Sequence, residues 1–117
     1  MIPTFEFSKN VVGFLIDSDV NSKLIEEIHA AINDRLQENE TINLFIEIKP
    51  GNNISFSALI KDLKFKTQHA SRFKKIAVVT DIHWFQNAME IKDLIMNAEV
   101  KGFEHIYRLK AMNWIAE

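Results

Sequence analysis

The densest group of reactive side chains in the sequence is Thr80, Asp81, His83 and Trp84, which fall within five positions. A carboxylate and an imidazole two positions apart can act as a general acid and base or as two ligands of a metal ion. A structural interpretation also fits, because an Asp directly before a helix is typical of an N-cap. In that interpretation His83 is a solvated surface residue and Trp84 anchors the core. No cofactor or metal is predicted, since the other three histidines show no metal-type spacing.

Two serines, Ser55 and Ser57, stand where a helix is predicted to begin. A hydroxyl there is a candidate phosphorylation site, because the positive end of the helix stabilises the added negative charge. A nucleophile elbow needs glycines beside the serine, and the stretch ISFS at 54–57 has none. The alternative for Ser55 is an N-cap that accepts a hydrogen bond from the first turn.

Basic and aromatic residues gather just after these serines. Residues 61–75 hold six Lys or Arg and one Asp, whereas residues 19–40 hold two basic and six acidic residues. The basic stretch predicts contact with an acidic partner, phosphates or a membrane surface, or else an ordinary solvated helix face. Phenylalanines nearby could line a pocket for an apolar ligand or fill the core. The candidate binding residues are Phe56, Lys61, Lys64 and Phe65, together with Asp81, His83 and Trp84.

An alternation of strands and helices must position these side chains. Hydrophobic periodicity predicts the order ββαβαβαβα, with strands at 4–7, 11–17, 42–49, 75–80 and 100–103 and helices at 22–38, 56–69, 82–97 and 107–116. This order predicts an α/β fold with a mixed, mostly parallel five-stranded sheet and about four helices, opened by one antiparallel hairpin. Ligands of such sheets bind beyond the carboxyl ends of the strands, here the loops 17–21, 50–57 and 80–84.

Two patterns support individual elements. In the strand 42–49, isoleucines and Leu44 alternate with Asn43, Phe45 and Glu47, an alternation typical of a strand. In the last helix, Leu109, Met112 and Ile115 recur at helical spacing.

The amino-acid composition excludes several classes of function. The 117 residues are enough for one domain, 1–117. A net charge of −2 argues against a polycation that binds nucleic acid through bulk charge. Three glycines cannot supply a Gly-rich phosphate loop, and the absence of cysteine removes thiol chemistry. The first residues do not fit a signal peptide and no apolar run approaches the ~20 residues of a membrane span, so a cytoplasmic location is expected.

The sequence resembles the SpoIIAA-like family, small bacterial proteins that share the STAS-domain fold and are distantly similar to CRAL-TRIO lipid-binding domains. The resemblance covers nearly the whole chain in order, through NVVG (10–13), IKDLKF (60–65), FKKIAVVTD (73–81) followed by Trp84, EVKGF (99–103) and WIAE (114–117). It implies a β-α superhelix with helices packed over a mixed sheet. In the anti-sigma-factor antagonists of this fold, a serine at the start of the helix after the third strand is phosphorylated to switch partner binding. Ser57 or Ser55 would be that serine here, although the usual preceding Asp and following Gly are missing.

Three functional hypotheses follow. The first is a non-enzymatic regulatory module of STAS type that binds a protein partner, with self-association into a homodimer also open. The second is a carrier or sensor for a lipid or another apolar small molecule, which a small domain can house only at the expense of its own core. The third is an enzyme that uses Asp81 and His83.

Overall fold

The structure is a computed structural model that describes residues 4–5, 10–83 and 98–117. In chain order its elements are β1 (Thr4–Phe5), β2 (Val11–Ile16), α1 (Ser22–Glu38), β3 (Ile42–Ile48), α2 (Phe56–Gln68), β4 (Phe73–Val79), β5 (Glu99–Phe103) and α3 (Arg108–Ala116). Short 3-10 turns at Ala70–Arg72 and His105–Tyr107 precede β4 and α3. The described residues hold three α-helices rather than about four, and the predicted helix 82–97 lies outside them from residue 84 onward.

The strands form one sheet in the order β1-β2-β3-β4-β5. β1 pairs with β2 in the antiparallel sense, and every other neighbouring pair is parallel. The α/β class and the parallel sheet expected from the sequence are therefore confirmed. The carboxyl ends of β2 to β5 lie along one edge, which is where the candidate loops begin.

Helix α1 has the bounds that its periodicity predicts. Its N-cap is Asn21, whose side-chain oxygen accepts a hydrogen bond from the backbone N–H of Leu24 at 2.9 Å. Its buried apolar side chains are Ile25, Ile28, Ile32 and Leu36, which pack with the sheet and with Ala58 of α2 in the larger core cluster. Helices α1 and α2 thus share one face of the sheet.

The opposite face of the sheet is covered by α3. Ala111 and Ile115 are fully buried there against Phe45, Ala77 and Val79. With helices on both sides of the sheet, all seven residues of β3 are buried. Asn43 Nδ2 donates to the carbonyl of Ile115 at 3.1 Å, so this polar residue bonds to α3 rather than to solvent.

Leu109 of α3 does not join this core, since its side chain is 67% exposed. The buried residues of α3 are Ala111 and Ile115, one turn apart. Leu109 lies two positions from Ala111 and therefore points to the other side of the helix.

Candidate functional site: the groove between the first two helices

The loops after β2 and β3 are joined to each other by backbone hydrogen bonds. Val20 N–H donates to the carbonyl of Asn53 at 2.7 Å, and Ser55 N–H donates to the carbonyl of Val20 at 3.0 Å. The carboxylate of Asp19 accepts the N–H of Asn53 at 2.8 Å. These bonds hold the N-termini of α1 and α2 side by side, so the positive ends of two helix dipoles meet at one place.

Three serine hydroxyls lie at this junction. Ser55 Oγ accepts the backbone N–H of Ala58 at 3.2 Å, which confirms the N-cap interpretation of Ser55. Ser57 Oγ is 3.3 Å from Ser22 Oγ and 3.3 Å from Ser55 Oγ. Ser57 is exposed and belongs to the first turn of α2. Of the two candidate phosphorylation sites, Ser57 is the one whose oxygen does not cap the helix.

A buried pair of titratable side chains connects the two helices farther along. His29 Nε2 of α1 lies 3.0 Å from Asp62 Oδ1 of α2, and both residues are buried. Phe65 stacks on the imidazole of His29, with ring centroids 3.8 Å apart and planes 7° apart. The carboxylate and the aromatic ring therefore fix the orientation of His29 at the wall of the groove.

The basic residues of α2 differ in their environment. Lys61 Nζ lies 2.6 Å from Glu26 Oε1 of α1, and this hydrogen bond, with the charge of Lys61, lowers the pKa of Glu26 below its usual value. Lys64 is exposed and forms no ion pair with a described residue. The ammonium group of Lys64 is thus available to an anionic group in a way that the Lys61 ammonium is not.

Together these side chains line an open groove of about 560 Å³, here called the α1–α2 groove; its lining residues are Ser22, His29, Ser57, Lys61, Lys64, Phe65 and Gln68. Its hydroxyl and ammonium groups suit a polar, anionic binding partner. Four of the residues predicted from the sequence, Ser57, Lys61, Lys64 and Phe65, meet here. Phe56 is the first residue of α2, and its side chain lies outside what the structure describes.

Under the α1–α2 groove, the helices pack closely on the sheet. The enclosed cavity there is only about 10 Å³ and is lined mainly by isoleucines. That volume is near the minimum for a single water molecule. Within the described part of the chain, this part of the core holds no space for an apolar ligand.

The Asp81–His83 hypothesis concerns a different part of the sheet edge, the end of β4. Asp81 Oδ1 accepts the backbone N–H of His105 at 2.8 Å, while Thr80 Oγ1 accepts the N–H of Ile82 at 3.0 Å. Asp81 and His83 are both exposed, and no hydrogen bond joins these two described residues. Trp84 lies outside the described residues.

Sequence reasoning missed a charged cluster on the α3 side of the sheet. Glu47 of β3 is 1% exposed, and both of its carboxylate oxygens lie 3.0 Å from Arg108 Nε. Arg108 Nη2 is 2.9 Å from Oε1, and His105 Nε2 is 3.0 Å from Oε2. The hydrogen bond to Glu47 raises the pKa of Arg108. The only local signal was a carboxylate between two isoleucines, Ile46 and Ile48, in a strand.

Two further findings bear on function. Across residues 4–5, 10–83 and 98–117, no three His, Asp or Glu side chains converge as metal ligands. In the same part of the chain, no helix is long and apolar enough to cross a membrane.

Comparison with known proteins identifies a family that the sequence matches and a solved structure with a similar fold. The SpoIIAA-like family profile matches residues 11–116. An uncharacterised protein of the DUF3478 family from Shewanella loihica PV-4, whose crystal structure has a SpoIIAA-like fold, superposes with a TM-score of 0.69. The alignment covers 98% of this chain and 92% of that one at 19% sequence identity, so this similarity concerns the fold. No curated protein matches the chain.

Proposed function

The chain belongs to the SpoIIAA-like family, and we propose that it is a non-enzymatic regulatory module of STAS type that binds a protein partner through the α1–α2 groove. The observation that carries the proposal is the meeting of Ser57, Lys64 and Phe65 with residues of α1 in one open groove. A hydroxyl, an aromatic ring and an ammonium group that pairs with no described carboxylate, all on a packed helix pair, are the elements of a specific protein contact. The proposed site of action is the cytoplasm.

Ser57 is the proposed point of regulation. A phosphoryl group there would add nearly two negative charges at the junction of two helix N-termini, where the dipoles favour it. Lys61 lies one turn farther along α2 on the same face as Ser57. A phosphate would therefore compete with Glu26 for the Lys61 ammonium and change the charge that the groove presents to its partner.

A carrier for an apolar ligand has less support. The core under the groove has a cavity of about 10 Å³, whereas pockets for drug-sized ligands measure roughly 300–1,000 Å³. The groove itself is open, so it would leave an acyl chain in contact with water. The family and the α1–α2 groove favour the interaction module.

Site-specific photo-crosslinking in living cells tests the proposal. A photoreactive phenylalanine analogue at Gln68, an exposed residue that lines the groove, should crosslink one protein, and Ser57→Asp in the same chain should change the yield of that product at least severalfold. The matched control places the analogue at Lys74, an exposed position of β4 that does not line the groove, which should not give that product. Equal crosslinking from both positions, or a yield that Ser57→Asp and Ser57→Ala both leave unchanged, would contradict the proposal.

A further inference from the structure

The last helix presents a second apolar surface, which faces away from the sheet. Ala111 and Ile115 of α3 pack on the sheet, whereas Leu109 lies on the other side of the helix with 67% of its surface accessible. Ile106, in the 3-10 turn that leads into α3, is 80% exposed. A helix that carries apolar residues on two sides normally buries both of them, so the outer side of α3 is a candidate contact surface.

The exposed side of α3 has the spacing of a helix-pairing surface. Leu109, Asn113 and Ala116 are all exposed, and steps of four and then three positions place them in one line along the helix. With Ile106, three positions before Leu109, they repeat the spacing of core positions in a two-stranded coiled coil, where a single asparagine fixes the register. Ile106, Leu109, Asn113 and Ala116 are here called the α3 stripe.

Two opposite charges flank the α3 stripe on one side. Lys110 and Glu117 each follow a stripe residue by one position, and both are exposed. Seven positions, or about 10 Å of helix, separate them, and neither forms an ion pair within the described part of the chain. Lys110 Nζ lies 5.8 Å from the centroid of the Tyr107 ring, which positions the ammonium group without neutralising it.

The surface beside the α3 stripe has balanced charge. A groove of about 640 Å³ between β5 and α3 is lined by two ammonium groups and two carboxylates, those of Lys101, Lys110, Glu104 and Glu117. Trp114 engages lysines of its own chain, with Lys101 Nζ 4.8 Å and Lys75 Nζ 5.1 Å from its ring centroid. Such a balance favours neither a strongly acidic nor a strongly basic partner. It suits a two-fold contact between identical chains, in which one surface must complement itself.

We propose that the α3 stripe binds the same stripe of a second copy of this chain, with the two helices antiparallel and a two-fold axis beside Asn113. Lys110 lies three positions before Asn113, and Glu117 lies four positions after it. Antiparallel packing about that axis therefore places each Lys110 opposite Glu117 of the partner subunit, which gives two identical ion pairs. Parallel packing would leave these charges at different heights along the helices, so they would not meet.

The size of the contact predicts a weak dimer. α3 has nine residues, which is about 14 Å of helix, whereas a stable interface buries about 800 Å² on each partner. One short helix and its leading turn cover less than that, so we expect a dissociation constant on the order of 100 µM. None of these residues lines the α1–α2 groove, so the inference does not depend on the proposed function.

Sedimentation equilibrium of the full chain at concentrations up to about 1 mM tests the inference. Lys110→Glu puts only carboxylates, and Glu117→Lys only ammonium groups, at the four flanking positions of the dimer. Each substitution alone should therefore raise the dissociation constant at least about tenfold. An equal mixture of the two variants should associate about as well as the wild type, because every charge then meets its opposite. Association in the mixture also shows that both variants are folded.

Lys64→Glu is the matched control, because it reverses an exposed charge in the α1–α2 groove and should leave the dimer unchanged. The inference is overturned if the wild type stays monomeric up to about 1 mM, or if Lys64→Glu weakens the dimer as much as Lys110→Glu does. It is also overturned if the mixture of Lys110→Glu and Glu117→Lys is no heavier than either variant alone.

Discussion

The buried carboxylate of Glu47 and the half-buried guanidinium of Arg108 form an ion pair between the middle strand of the sheet and the first turn of α3. The carboxylate is almost inaccessible to water, whereas the Arg108 side chain is 37% exposed. Removing a carboxylate from water is costly unless charged hydrogen bonds replace the lost hydration. Here Arg108 supplies charged hydrogen bonds and the His105 ring supplies a further contact at 3.0 Å, so the position of α3 on the sheet depends on them.

Glu47→Gln should therefore lower the free energy of unfolding by about 2 kcal/mol, because the amide keeps the shape but loses the charge-assisted bonds. Urea denaturation followed by circular dichroism measures the change. Glu104→Gln is the control, since Glu104 is exposed and its loss should cost less than about 0.5 kcal/mol. Equal effects of the two substitutions would show that the Glu47 pair does not stabilise the fold.

The two serines at the start of α2 should differ in stability effects. Ser55→Ala removes the oxygen that accepts the Ala58 N–H and should cost about 1 kcal/mol. Ser57→Ala removes only an exposed hydroxyl and should cost a few tenths. Thermal or urea unfolding of both variants checks this, and Ser55→Asp should restore most of the loss because Asp also caps helices.

The acid titration of Glu26 should report its contact with Lys61. Because the hydrogen bond lowers the pKa of Glu26 in the folded state, its contribution to stability is present above the pKa of the unfolded chain. That contribution is lost as the pH falls through the lowered folded-state pKa. Carboxyl-carbon NMR should give a pKa below the ordinary value, and Lys61→Gln should raise it. An unchanged pKa in Lys61→Gln would mean that the ion pair is absent in solution.

The two faces of α3 should respond differently to truncation. Ile115→Ala opens a cavity in the smaller core cluster and should cost about 3 kcal/mol. Leu109→Ala removes the same kind of side chain from an exposed site and should cost less than about 0.5 kcal/mol. Comparing the urea midpoints of the two variants tests which face of α3 packs on the sheet.

Sequence patterns predict those helices and strands that are determined by residues close together in the sequence. Both ends of helix α1 were predicted correctly, because its apolar spacing and its N-cap residue Asn21 lie in one continuous stretch of sequence. The complete burial of β3 was not predicted. Its second face is covered by α3, which lies more than 60 positions farther along the chain. Nothing near Glu47 in sequence indicates that Arg108 will reach it.

The residues of the α1–α2 groove likewise fall into those that the sequence could predict and those that it could not. Ser57, Lys61, Lys64 and Phe65 could be found together because spacings of three and four place them on one side of a helix. His29 was missed as a partner of Asp62, since the contact depends on how α1 packs against α2. The lysines around Trp114 were missed for the same reason, because three separate elements bring them to one ring.

The Glu47 ion pair also has a consequence for the order in which parts of the chain fold. During synthesis Glu47 leaves the ribosome long before His105 and Arg108 exist, so its carboxylate has no charged partner while the first half of the sheet assembles. The core under α1 and α2 is built mainly from residues before position 80, with Ala98 and Val100 added from the later part of the chain. The charged partners of Glu47 come later still, at positions 105 and 108, so we expect the docking of α3 to be a late step of folding.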